Sequence, residues 1–161
     1  MAILDDLATY IDSQSTRYTL LSGTGGNLSK GDMPDKPDTM TTLYVTGGLP
    51  TLSSWSTGEQ DDRQFTRWRI QILSRSTAPA VAQENCNKIF SMIDGLHRNL
   101  PTSTGRAYGR IDAVAPPFDI GKDGNQRHLT SSNYDIWRQR RLAEVAEGAY
   151  ASAFGAGFDV A

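Results

Sequence analysis

The chain has 161 residues, of which 16 are basic and 18 acidic, for a formal charge of −2; 38% are hydrophobic and one is cysteine. This length suits one ordinary domain with its own core, and the missing basic excess argues against bulk nucleic-acid binding. A lone cysteine allows no intramolecular disulfide, the acidic start MAILDDLATY is unlike a signal peptide, and no window approaches the ~18 uninterrupted apolar residues of a membrane helix, so a soluble chain folded in a reducing cytoplasm is expected.

In chain order, Leu4, Leu7, Ala8 and Ile11 recur at i, i+3, i+4 and i+7, which gathers them on one helical face and predicts a helix over 2–13. Asp5 and Asp6 fall in its first turn, where the helix dipole favours carboxylates. The following GTGGNLSKGDMPDKPD reads as a loop with turns, with room only for a short strand around Leu28. Residues 40–46 are β-branched and aromatic, with Leu43 and Val45 on one side and Thr42, Tyr44 and Thr46 on the other. Residues 65–73 alternate strictly: Trp68, Ile70 and Ile72 oppose Arg67, Arg69 and Gln71, the pattern of a strand with one covered and one wetter face. Thr77 and Pro79 mark a helix start, and Ala82, Cys86, Ile89, Ile93 and Leu96 step by four and three toward an end near Leu96.

Residues 108–114 predict a strand, APPFDIGKDGNQ a turn-rich connection, and 128–138 a last strand with Tyr134 and Ile136 facing one way. Because the helices do not alternate with every strand, the order predicts an α+β fold. It consists of one antiparallel or mixed sheet backed by two helices, a single domain with long loops over residues 1–138. The tail, 139–161, is rich in Ala and Gly and reads as a C-terminal extension or arm: its first half reads as helical, and its second, with Phe154 and Phe158 set among glycines, as an arm that finds its cover on another chain.

Residues able to do chemistry are few. His97 and His128 have no evident nucleophile and orienting partner, and Cys86 lies on the apolar stripe of the second helix, where a packed thiol is the ordinary outcome. GTGGNLSKG lacks the Gly-Lys-Ser/Thr ending of a phosphate loop. Asp32, Asp35 and Asp38, and Asp119, Asp123 and Asn125, invite a calcium reading, but neither set has the spacing or final Glu of an EF-hand, and turn-forming acids are the simpler account. No catalytic, cofactor or metal pattern emerges. An enzyme would need His128, Tyr134 and Asp135 to converge with Arg110 or Asp112, which alternation opposes because Tyr134 and Asp135 face opposite sides of a strand. What stands out is contact chemistry: Arg67 and Arg69, with Arg63 and Arg75 on the same segment, and Trp55 and Trp137 where leaving them wet is costly.

Three stretches carry a resemblance: GDMPDKPDTM leading into LYVTGGLP, FTRWRIQILSRS running into AVAQENCNKIFSMIDGL, and PPFDIGKDGNQRHLTSSNYDIW. In this order they resemble tailed-bacteriophage minor capsid proteins of the tail-terminator, or neck, type, from Ile3 to about Trp137, with GKDGNQRH the most specific piece. The resemblance implies a non-enzymatic α+β subunit that closes into a homo-oligomeric, six-membered ring. Such a ring caps the tail tube, stops its polymerisation and docks head-completion or connector proteins, while DNA passes through the lumen without sequence-specific binding. It implies a place in the virion neck, assembly in the host cytoplasm, and neither cofactor nor membrane; a head-closure or tail-completion protein at the same junction is the alternative. Ring closure demands heterologous interfaces. The candidate contact residues are Trp55, Arg67, Arg69 and Trp137, and the loop from Gly121 through Lys122 and Asp123 to Arg127.

Overall fold

The computed structural model describes residues 2–19, 25–52, 64–96 and 108–140. They form α1 (Ala2–Gln14), β1 (Leu28–Lys30), β2 (Met40–Leu52), β3 (Gln64–Ser76), α2 (Pro79–Ile93), β4 (Tyr108–Lys122) and β5 (His128–Arg140). All five strands join one sheet in the order β1-β2-β3-β5-β4. β1 runs parallel to β2, and every other pairing is antiparallel, which makes the sheet mixed and the fold α+β.

The period-two pattern of β3 sets the two faces. Ile70 and Ile72 are fully buried; the register sets Ile72 beside Leu43 of β2 and Ile70 beside Tyr134 of β5. Ile3, Leu4, Leu7, Ala8 and Ile11 of α1 and Ile89 and Ile93 of α2 join these strand residues in one buried cluster, so both helices cover the same face. Short polar links run through this layer. Thr41 and Ser74 share a 2.9 Å hydroxyl hydrogen bond, the Tyr18 hydroxyl donates to the Asn85 carbonyl at 2.7 Å, and the Cys86 thiol donates to the Thr130 carbonyl at 3.3 Å. Burial pushes the Tyr18 hydroxyl up to about 12 and raises the Cys86 thiol as well, so both remain neutral donors inside the core. Asp6 is buried, and it accepts a 2.6 Å hydrogen bond from the Tyr108 hydroxyl that ties α1 to β4.

The structure differs from the sequence expectation at element ends: β2 continues from the expected 40–46 to Leu52, and α2 ends at Ile93, short of Leu96. At the start of α2 the N-cap position is Ala78, with no side-chain hydrogen bond; Pro79, with φ already suited to a helix, sets the start in place of Thr77. The larger correction concerns APPFDIGKDGNQ. Residues 115–122 are the second half of β4, and only 123–127 form a turn. Prolines fit here because β4 is an edge strand whose register breaks between Ala113 and Ala115 and again between Ala115 and Phe118, where Pro116 and Pro117 sit. Trp55, Arg63, His97 and the tail beyond Arg140 lie outside the described residues.

Ile89→Ala, which opens a cavity between α2 and the sheet, is expected to cost about 2–5 kcal/mol in urea unfolding. Thr77→Ala should change stability by less than about 0.5 kcal/mol, not by the ~1 kcal/mol of a lost cap; a cap-sized loss would restore Thr77 as the start signal.

Candidate functional site

Among the described residues nothing covers the other face of the sheet, and β3 and β5 place Arg67, Arg69 and Trp137 there. Arg69 faces Asp135 across the strands and grips it with two hydrogen bonds, Nε to Oδ1 at 2.9 Å and Nη2 to Oδ2 at 3.1 Å. That bond and charge hold the Arg69 guanidinium above its ordinary value. Arg67 Nη1 lies 3.7 Å from the same carboxylate, and its guanidinium carbon sits 5.6 Å from the centre of the Trp137 ring, a cation–π arrangement. On β4, Asp112 stands opposite Asp135 in register and pairs with Arg110. Two like charges are tolerated side by side because each carboxylate has its own guanidinium.

A shallow depression of about 220 Å³ opens beside this cluster, lined by Thr46, Gly47, Gly48, Arg67, Arg69 and Asp135. Gly48 has a steric reason: a Cβ there would approach the Arg67 carbonyl oxygen to 3.1 Å. Three guanidinium groups and two carboxylates thus share an uncovered face. Arg67 and Arg69, candidate contact residues, find a carboxylate partner, Asp135, within the same subunit.

At the far end of the same face, the acid-bearing loops converge as a set, on the protein's own cation. Arg127 is only 6% exposed and donates to Asp123 Oδ2 at 2.7 Å, the Asp35 carbonyl at 2.6 Å, Asp35 Oδ1 at 2.8 Å and Asp38 Oδ1 at 3.2 Å. Asp123 Oδ1 also accepts the backbone N–H groups of Asn125 and Arg127, both at 2.9 Å, which shapes the turn in which Gln126 takes a left-handed φ of 63°. Asn125 reaches across to Asp35 Oδ1 at 3.0 Å. Beside it, Arg75 Nη2 donates to the carbonyls of Pro34, Asp35 and Pro37 at 2.8–2.9 Å. Two guanidinium groups therefore clasp the 31–39 loop against the turn between β4 and β5.

The clasp moves the acidities. The Arg127 hydrogen bond holds Asp35 below the carboxylate range; Arg127 and then Lys36 do the same for Asp38. Burial pushes Asp123 up, but the backbone and side-chain bonds from Arg127 outweigh it and leave that carboxyl lowered too. Arg75 is lowered by burial and by the neighbouring Arg127 charge. Of the candidate contact residues, Arg127 is therefore turned inward as a brace. Gly121 and Lys122 are exposed at the end of β4, Asp123 is half-buried in the turn, and Trp55 lies outside the described residues.

The residues of the rival enzyme site do not converge. Tyr134 is fully buried among the helices, whereas Asp135 faces the other way. His128 pairs with Lys122 at the opposite end of the strand from Asp112 and lines a separate hollow of about 250 Å³ with Pro79, Ala80, Gln83, Asp119 and Thr130. Sequence reasoning missed the roles of Arg75 and Tyr18 and the exposed apolar residues of β4. For β4 the available signal was Phe118 and Ile120 alternating with Asp119 and Gly121 beyond the prolines, which fits an edge strand.

A family model described as bacteriophage tail terminator protein matches residues 12–140. Among solved structures, the chain is similar to a chain in the virion of a native gene transfer agent particle, with 10% identity, 70% of this chain and 78% of that one covered, and a TM-score of 0.44. A second solved chain is 15% identical over 84% of this chain and 90% of its own, with a TM-score of 0.38. No curated protein matches.

Because the folded values of Asp35, Asp38 and Asp123 lie below the ordinary ~3.9 of aspartate, the clasp stabilises fully above that value and weakens as pH falls through the lowered values. Melting temperatures measured from about pH 6 down to about pH 2 should decline along an acid limb that Arg127→Gln makes shallower. Asp5 with Lys30, and Glu84 with Arg17, keep part of that limb in both proteins. Superimposable limbs would remove Arg127 as the organising cation.

Proposed function

Given that this chain belongs to the bacteriophage tail terminator family and is a structural protein of the phage tail and virion, we propose that it works at the neck as a homo-oligomeric ring of six copies. The ring caps the tail tube, halts its polymerisation and offers a docking surface to head-completion or connector proteins. The observation that carries this reading is the family match, which runs from the last turn of α1 through the whole sheet to the end of β5.

The physical case is one of surfaces. A closed ring needs two different patches on each subunit, one meeting the other on the next copy. The described residues of this subunit leave open a sheet face with Arg67, Arg69, Asp135 and Trp137, and an edge in β4 that ends in Gly121 and Lys122. Arginine and tryptophan are the side chains that most often anchor contacts, and Trp55 joins them as a candidate. Arg127 contributes from inside, by fixing the shape of the turn at Asp123. The net charge of −2 suits a ring through which DNA slides without being held. A head-closure or tail-completion role at the same junction is distinguished by the partner that the ring engages.

Native mass spectrometry of the purified protein should give six times the subunit mass, and electron microscopy should place the ring on the end of tail tubes. A strict monomer that ignores tubes overturns the ring; a ring that binds head connectors but never tubes moves the protein to head closure. Arg67→Glu combined with Arg69→Glu should abolish ring formation while far-UV circular dichroism stays that of the wild type. Unchanged assembly would take this face out of the interface.

A further inference from the structure

Among the described residues, the exposed large apolar side chains are Val114 at 51%, Phe118 at 43% and Ile120 at 45%. All three fall within 114–120 of β4, a strand bonded to a neighbour on one side only. Single exposed apolar residues are ordinary; several on one open edge mark a contact. The same edge is blunted against indiscriminate strand pairing. Its register with β5 breaks between Ala113 and Ala115, Ala115 and Phe118, and Asp119 and Gly121, and Pro116 and Pro117 bring no N–H to the middle break. Such an edge is suited to receiving side chains more than a continuous hydrogen-bonded ladder.

We propose that this apolar strip is the seat of the C-terminal arm of the adjacent copy in the ring. The proposal rests on the ring reading above and goes beyond it by naming the two segments that meet. Twenty-one residues follow Arg140, where β5 ends. Within them, 148–158 contains no charged residue and no proline, and Tyr150, Phe154 and Phe158 recur at every fourth position with only Gly, Ala and Ser between them. Large rings buried against small residues of their own segment would keep most of their ~150–250 Å² in water, so they need a surface from elsewhere. The strip supplies apolar side chains and, like the arm, no charge at the three positions concerned.

Reach and direction favour the neighbouring copy. A fully extended 21-residue segment spans roughly 70 Å, enough to cross onto a second subunit. Arg138 pairs with Tyr108, so the chain leaves the sheet at the beginning of β4; to meet Val114–Ile120 of its own subunit it would have to cross the edge of β4 and double back alongside it. Passed to the next copy, the arm meets the β4 edge as a pair of unlike patches in a head-to-tail interface.

The test uses the full-length protein with Phe118→p-benzoylphenylalanine, assembled from light and ¹⁵N-labelled copies, irradiated, digested and read by mass spectrometry. The expected products join the Phe118 peptide to peptides from 148–161, with light–heavy pairs forming about half of them, the share random mixing gives for exchange between copies. Pairs of a single isotope only would mean that the arm folds back on its own subunit, and would overturn the proposal. A second measurement covers the chance that the probe disturbs the edge: Tyr150→Ser, Phe154→Ser and Phe158→Ser together should raise the concentration at which rings dissociate at least tenfold, with unchanged circular dichroism. Intact rings that crosslink elsewhere, or that dissociate like the wild type in the triple variant, would remove the arm and leave the ring standing. A wild-type protein that is monomeric before any substitution would overturn the ring and this contact together.

Discussion

A sheet has two faces, and α1 and α2 both lie on one of them. That single constraint arranges nearly everything else. Burial of Ile70, Ile72, Tyr134 and Ile136 against α1 and α2 fixes the parity of the two central strands. Arg67, Arg69, Asp135 and Trp137 are then carried to the opposite face without any further choice. A slip of one residue would exchange the two sets and put guanidinium groups in the core, so the apolar burial and the charged face are one fact seen from two sides.

The uncovered face is handled differently along its length. In its middle, Arg67, Arg69 and Asp135 satisfy one another and stay partly open to water, where such pairs contribute little to stability and leave the surface able to meet another. At the end where β3 finishes and β5 begins, a loop with one half-buried apolar side chain besides its prolines, Met33, is closed by Arg75 and Arg127. Five carbonyl and carboxylate groups of the 31–39 loop face two planar donors with fixed geometry, and the turn at Asp123 is held by the same guanidinium. A polar clasp does here what a small core does elsewhere. It also gives the surface around Gly121, Lys122 and Asp123 one defined shape, which a contact surface requires if binding is not to be opposed by the ordering of a loose loop.

The edges of the sheet receive a third treatment. β1 is three residues long and covers only Thr41–Leu43 of β2, while β4 is long but interrupted by prolines and bulges. Both devices restrain uncontrolled strand addition. In the proposed ring this matters, since a subunit that meets copies of itself must do so in one geometry and stop. Apolar residues on an edge that cannot simply extend the sheet reconcile the two demands.

How much of this was legible beforehand depends on the range of the interaction. The alternation of 65–73 and of 128–138 and the four-three stepping from Ala82 to Ile93 are local, and with the order of the elements they sufficed for the strands, the helix, the α+β class and the opposite facing of Tyr134 and Asp135. The core position of Cys86 followed from the same stepping, whereas the short strand at Leu28 was legible only as the room that the Gly, Pro and Asp of its loop leave. What the chain order alone could not decide was who meets whom. Asp35, Asp38 and Asp123 read as separate turn acids, and Arg127 as a surface residue, because the pairing of Asp35 with Arg127 spans 92 positions and exists only once β2, β3 and β5 are side by side. Asp135 gave no sign in sequence of belonging to Arg69 for the same reason. Pro116 and Pro117 suggested a loop, since proline forbids a central strand; only the strand order, which puts β4 at the margin of the sheet, makes them compatible with one. Periodicity is written residue by residue into the backbone's geometry, whereas partners, edges and the burial of a charge are properties of distances that come into being when the strands are laid next to one another.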